Sequence, residues 1–259
     1  MNESNIGYVG LAVSGVLVAV TIGLSAWRHL GLERSVAWAA LRALVQLLLV
    51  GSALRLVIDP RRPLAFSWLW VAAMLVFAAW TARRRAPEVP GAGVLALFSF
   101  LAATFVSLGV LLGLRVFPTD GRTIVPLAGM IVGNSMSATV LCARRIVGEL
   151  SDKRPEVEAR LALGQTSEQA ARPYVRAAVR TALIPQIEST KATGIVFLPG
   201  AMVGLLLAGV DPVSAVKVQV AVMYLVLGSV TTTTVTMALG LSKRLFTADH
   251  RLVPLNRAA

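Results

Sequence analysis

The chain is short of the side chains that carry most covalent and metal chemistry. Cys142 is the single cysteine in 259 residues, so an intrachain disulfide and a CxxC metal site are excluded. His29 and His250 are the only histidines, and both lie near charged flanks with no further ligand at metal-site spacing. They read as interfacial or tail residues. No GxxxxGK[ST] run occurs anywhere, so the chain cannot hydrolyse ATP by P-loop chemistry of its own. Acid is scarce too: 13 Asp and Glu face 25 Lys and Arg, for a formal charge of +12. Charge of either sign is thin at 15%, where a soluble chain carries about a quarter.

Apolar residues fill the gap. They make up 56% of the chain, and the mean hydropathy is +0.73. That composition specifies an all-α polytopic membrane protein embedded in a lipid bilayer. The basic residues do not form a patch interleaved with aromatics, which excludes nucleic acid as a partner; they cluster at the ends of apolar runs instead. The opening MNESNIG carries Glu3 and no basic residue, unlike the n-region of a cleaved signal, so the first helix is expected to be retained.

Runs long enough to cross the bilayer lie at about 8–26, 36–58, 64–82, 91–114, 123–143, 192–210 and 214–241. The sequence DPRRP breaks the second from the third. Lys and Arg concentrate after spans 1, 3 and 5 and in the tail, with Arg61, Arg62, Arg115, Arg122 and Lys217 on the other side. The positive-inside rule then predicts an outer N-terminus and a cytoplasmic C-terminus, hence an odd number of spans, and seven fits. No domain boundary or repeat is visible, so residues 1–259 read as one transmembrane domain with a cytoplasmic segment at about 144–190.

That segment has its own local logic. Pro155 suits a first helical turn, and Glu156 and Glu158 suit the positive end of the helix dipole. Val157, Leu161 and Ala162 form a short apolar stripe, and Gly164 is placed to stop the helix. Thr166 or Ser167 can cap a second helix in which Arg172, Arg176 and Arg180 recur every four residues. Pro173 is expected to kink that helix or shift its start. A basic amphipathic helix could simply lie on anionic headgroups, but an acidic-started helix in front of it would not.

The run VEARLALGQTSEQA resembles the EAA-type loop of ABC transporter permeases, in which a short helix ending near a glycine docks on the ATPase subunit. RALVQLLLVG, PLAGMIVGNSMSA, EARLALGQTSEQA and ALIPQIESTKATGIVFLPGAMVGLLLAGVDPVSAVKVQV resemble, in order, the FetB family of iron-export ABC permeases. Plant relatives of that family are linked to aluminium tolerance and nucleotide-sugar movement. The resemblance implies a multi-pass permease of the bacterial cytoplasmic (inner) membrane, itself not an enzyme, assembled as a homodimer. It also implies a separate nucleotide-binding subunit that holds ATP and Mg, with no cofactor on this chain. Docking would fall to Glu156, Glu158, Ala159, Leu161, Gly164 and Thr166. Where the family reads LPGMM followed by Thr or Ser and Gly, this chain reads LPGAMVG, so Ala201 and Val203 replace a thioether and a hydroxyl.

Polar groups inside apolar spans mark candidates for a substrate path. Asn134 and Ser137 interrupt span 5, and Gln46 interrupts span 2. Asn134 can equally bond a neighbouring helix, and Gly129, Gly133 and Ser137 form a small-residue stripe suited to helix contact. Glu188 at the entrance to span 6 is either a cation-binding carboxylate at the inner mouth or half of an i,i+3 pair with Lys191. Met202 offers a soft sulfur, although Met in apolar spans usually packs. Pro199 and Gly200 are hinge candidates. Thr231–Thr234 can return their hydroxyls to their own helix. No metal ligand set can be named. The expected function is ATP-driven export of iron or another metal; the alternatives are a small organic solute such as a nucleotide sugar, an autonomous channel or secondary carrier, or a scaffold.

Overall fold

The computed structural model describes residues 8–57, 63–247 and 249–254. Ile58, the first four residues of the DPRRP break with Arg61 and Arg62 among them, Glu3 and Arg257, all used above, lie outside the described residues. Nine helices occupy them: α1 Tyr8–Trp27, α2 Glu33–Val57, α3 Ala65–Arg85, α4 Ala92–Gly113, α5 Gly121–Asp152, α6 Arg154–Ala162, α7 Ser167–Ala192, α8 Gly200–Leu207 and α9 Pro212–Arg244. Five of them (α2, α3, α4, α5 and α9) are long and apolar enough to cross a membrane, and Ala12–Trp27 is a shorter apolar helix. Spans 1 to 4 and the last span therefore coincide with helices whose ends lie within about three residues of the hydropathy limits.

The chain forms two compact units, residues 1–61 and 62–259. The first is a hairpin of α1 and α2. Its turn is tied by Ser25 Oγ, which donates to Glu33 Oε1 at 2.8 Å and accepts from the Leu32 amide at 3.2 Å. Gln46, on α2, is exposed.

The second unit is built around α5 and α9. At about 48 and 50 Å these helices outrun a 30 Å hydrocarbon core. Each carries a buried stripe recurring every three to four residues along its length: Ile124 to Leu150 on α5, Ala215 to Leu241 on α9. They run in the same direction, because Arg144 of α5 and Arg244 of α9 both reach the α3–α4 connection, at Glu88 and Gly91, while Cys142 Sγ reaches the Thr234 carbonyl at 3.9 Å. α4 runs against them, with Leu95 beside Gly240. Met74 of α3 lies against Gly129 of α5. The end of α3, the start of α4, and the ends of α5 and α9 thus share one end of the bundle. Arg83, Arg84, Arg85, Arg144, Arg145, Lys153, Lys243 and Arg244 gather there, whereas Arg115 and Arg122 mark the opposite end.

The threonine hydroxyls of α5's buried Thr139 and of α9's Thr231–Thr234 are satisfied within their own helices, whereas the buried Ser135 hydroxyl on α5 has no partner among the described residues. Thr139 donates to Ser135 O, and Thr231, Thr232, Thr233 and Thr234 each donate to the carbonyl four residues back, at 2.7–3.0 Å. A hydroxyl so occupied costs little in an apolar medium.

The expected sixth span differs most. Residues 192–210 are not one helix: α7 ends at Ala192, residues 193–199 form a compact loop, and α8 runs only eight residues, about 12 Å. The loop closes through Gly194 N–H to Phe197 O at 2.9 Å and Val196 N–H to Ala192 O at 3.0 Å. Nor is 144–190 a detached polar segment. α5 remains helical to Asp152, and α7 climbs the bundle against α5 and α9. Its first residue, Ser167, is held at the chain following α9 by His250, while α8 touches Gln219 near the start of α9. The segment 167–202 therefore runs the length of α9 in the opposite direction. Helix α7 continues through both Pro173 and Pro185.

Candidate functional site

At the basic end, α5 hands over to α6 through Lys153, and the anticipated helix–glycine–helix unit is present. Pro155 sits in the first turn of α6, Gly164 takes φ +84° where the helix stops, and α7 begins at Ser167. A non-glycine residue would be strained at that φ. Thr166 is the cap: its Oγ1 accepts from the Gln169 amide at 3.3 Å while Gln169 Oε1 accepts from the Thr166 amide at 3.1 Å, a reciprocal capping box.

The two acidic residues of α6 are engaged within the chain. Glu158 accepts from Arg154 Nε at 2.7 Å. Glu156 accepts from Lys153 Nζ at 3.0 Å and, through its other oxygen, from the Tyr174 hydroxyl at 2.9 Å. These two bonds, Lys153 first, hold the Glu156 carboxyl below its ordinary value, and the same partner raises Lys153. Val157 is fully buried and Leu161 partly so, facing the core. Besides Pro155, Glu156 and Glu158, α6 and the turn after it expose Ala159, Ala162, Leu163 and Gly164, with Leu163 82% exposed. Leu163 was absent from the expected docking residues. Its signal was an apolar side chain directly before the helix-stopping glycine.

A hook formed by residues 245–247 and 249–254 braces this unit. Leu245 and Leu252 are buried, Phe246 pairs with Leu252, and Thr247 closes the turn by bonding Arg251. Arg154 Nη2 donates to Leu252 O at 3.3 Å, and the Ser167 amide donates to His250 Nδ1 at 3.3 Å. His250 is thus a structural tether rather than a loose tail residue.

The intramembrane candidates fall on exposed faces. In IVGNSMSATV, Ile131, Val132, Ser135, Thr139 and Val140 are buried, whereas Gly133, Asn134 and Ser137 are exposed. Of the small-residue stripe, Gly129 meets a neighbouring helix side chain. The Asn134 amide donates to Met130 O at 2.8 Å, so its helix satisfies it without a second one. Glu188 pairs with Lys191 at 2.9 Å, both more than half exposed. It lies about 31 Å along α7 from Ser167, well up the bundle rather than at the basic end. α7 buries its face only as far as Ala182, so Glu188 projects from the part that leaves the core.

Pro199 and Gly200 form the junction where α8 starts. Pro199 supplies no side-chain cap; instead the Met202 amide donates to Gln219 Oε1 at 3.2 Å, across from α9. Gln219 is 5% exposed and satisfies one of the free amides of this interrupted helix. It too went unanticipated, although a glutamine inside VKVQVAV was its visible sign. Gln46 belongs to the hairpin unit and the docking and α5 residues to the other. Among the described residues no three His, Cys, Asp or Glu side chains cluster as a metal site.

Comparison with known proteins supplies the family. The family described as "Uncharacterised protein family (UPF0014)" matches residues 8–246. UPF0014 membrane protein STAR2 of Oryza sativa subsp. japonica is 35% identical over 235 residues, covering 90% of this chain and 81% of the relative. The protein named Probable iron export permease protein FetB, of Escherichia coli, is 32% identical over 253 residues, covering 98% of this chain and 97% of the relative. Protein ALUMINUM SENSITIVE 3 of Arabidopsis thaliana is 32% identical over 248 residues, covering 95% and 90%. No solved structure matches the chain. With the match running through both units and several relatives aligned over nine-tenths of the sequence, the chain belongs to the UPF0014 family of multi-pass membrane proteins.

Proposed function

We propose that the chain is the membrane permease subunit of an ABC transporter that exports iron or another metal ion with ATP hydrolysed on a separate subunit. The observation that carries this reading is the exposed Ala159–Ala162–Leu163–Gly164 ridge on a short helix braced from three sides. Such a ridge fits the groove of a partner, and bracing lets a push on α6 reach α5, α7 and α9 together. The name of the Escherichia coli relative supports iron as cargo. Under the positive-inside rule the basic end faces the cytoplasm, and α7 with α8 forms a discontinuous sixth crossing of seven. Two copies together would enclose the exposed Asn134 and Ser137 face of α5, with Glu188, Met202 and Gln46 as further path candidates and Pro199–Gly200 as the hinge.

One feature favours a second cargo class. Glu188 is already paired to Lys191, so the two contribute no net charge to draw a cation. A small organic solute fits such a zwitterionic pair, and Ala201 and Val203 are compatible with it.

The test is co-purification with a P-loop ATPase. Leu163→Asp, at a position too exposed to affect folding, is expected to abolish the complex and the stimulation of ATPase activity while the permease still elutes as a single species. Survival of both in Leu163→Asp combined with Gly164→Trp would refute the docking role. Proteoliposomes of the complete complex then separate the cargoes: ATP-dependent movement of an organic solute without iron removes the metal.

A further inference from the structure

The α3–α4 connection forms a cleft of about 680 Å³ that the transport reading does not use. Its floor and walls are apolar, with Val76, Trp80, Val94 and Leu97 opening toward the flanks of the two crossing helices. Val76 is 60% exposed and Val94 50%, so the groove is not filled from within. Its mouth is basic. Arg83 lines it, the stem lying against Gly93, and Arg84 stacks on the Trp80 ring at 4.0 Å. Arg244, from the end of α9, brings its guanidinium against Gly91, where the φ of +70° and the lack of a Cβ admit it.

The charges at this mouth are unbalanced. Among the described residues, Arg83, Arg84 and Arg244 have no carboxylate partner. The one acid in the connecting loop, Glu88, turns away to the Arg144 guanidinium on α5 at 2.6 Å and lines a different cleft. Arg83 lines the cleft, and Arg84 and Arg244 each touch one of its lining residues, Trp80 and Gly91; a phosphodiester is the anion a guanidinium fork fits. An apolar groove continuous with membrane-crossing helices, capped by a tryptophan and by arginines whose stems run along it, is built for a molecule with an anionic head and an aliphatic tail.

We propose that this cleft is a binding site for an anionic phospholipid of the leaflet at the basic end, its phosphate among Arg83, Arg84 and Arg244 and one acyl chain along Val76, Trp80, Val94 and Leu97. The site rests on membrane embedding alone and stands or falls apart from the ATPase partner or the cargo. It would tie the ends of α3 and α9 to the start of α4, next to the Arg144–Glu88 bridge.

Trp80 reports on occupancy. The full chain is reconstituted in phosphatidylcholine bilayers carrying an equal fraction of brominated phosphatidylglycerol or brominated phosphatidylcholine. Quenching of the Trp80 component is read as the difference from Trp80→Phe. Several-fold stronger quenching by the anionic lipid is expected. Arg83→Gln with Arg244→Gln should abolish that preference, whereas Arg83→Lys with Arg244→Lys should keep most of it. Equal quenching by the two headgroups overturns the proposal, and this wild-type comparison decides even if the Gln variant does not fold. A preference untouched by the Gln variant overturns it as well. Loss of the preference on adding millimolar inorganic phosphate would show a site for the free anion. Restoration of Arg pairing by the ATPase subunit, without any lipid preference, would show an acidic protein segment as the occupant; either result removes the lipid.

Discussion

α5 and α7 pack side by side in the bundle, and α5 and the path from α7 into α8 are built on opposite plans. α5 is one helix of 32 residues with its buried stripe kept from Ile124 to Leu150. The α7–α8 path keeps a buried face only between Ala170 and Ala182, then sheds it, breaks at 193–199 and restarts as an eight-residue helix without a single buried side chain. Continuous burial makes a strut. Its absence over the upper half of α7 leaves a stretch whose position is set by few contacts, which is where a moving part of a transporter would be drawn from. The difference also says where polar residues are tolerated: Ser135 and Thr139 are buried on the strut, whereas Glu188 and Lys191 sit exposed on the other path.

Truncation separates the two plans most strongly. Ile146→Ala empties a fully buried position on α5 and should cost about 2–4 kcal/mol in detergent unfolding, whereas Ile187→Ala on upper α7 should stay within about 0.5 kcal/mol. Equal losses would show that upper α7 is packed as firmly as α5. Next in size is Gln219→Leu, which strips α8 of its cross-helix cap. A loss of about 1–2 kcal/mol is expected to speed hydrogen exchange at the Met202 amide roughly 5–30-fold while leaving α5 unchanged. Thr166→Ala should cost about 1 kcal/mol by opening the capping box at the foot of α7, and Thr166→Ser should restore it; circular dichroism melts in the same detergent measure both.

Acidification gives the smallest effect. Glu156 has its carboxyl lowered by Lys153 and then by Tyr174, so its contribution is complete above the ordinary value of 4.5 and is lost as pH falls below it. Exchange of the α6 amides in the native chain and in Glu156→Gln should therefore differ at neutral pH and converge in acid. A difference that persists in acid would deny the bond its role.

Hydropathy was a good guide wherever crossing and helix coincide. Spans 1 to 4 and the last one could be delimited because apolar composition ended where the helices do. On α5 it marked the apolar stretch, 123–143, and not the helix, since an α-helix continues beyond the membrane as long as its hydrogen bonds are made. Residues 192–210 read as one span because a running average of apolarity is blind to helix phase, and Pro199–Gly200 looked like a bend instead of a new start. Upper α7 read as polar because Gln186, Glu188, Ser189, Thr190 and Lys191 crowd into it, yet most of these polar groups are answered within one helical turn. At the candidate site, local chemistry was legible: Pro155, Gly164 and Thr166 all stand where their backbone preferences put them. Long-range partners were not. Nothing near His250 announces Ser167, which is 83 residues away, and nothing near Met202 announces Gln219.

The hook that follows α9 has a practical corollary for anyone handling the protein. Leu252 and His250 grip the two helices that flank Leu163. Cutting the chain before Leu245 therefore loosens the surroundings of Leu163 without touching it.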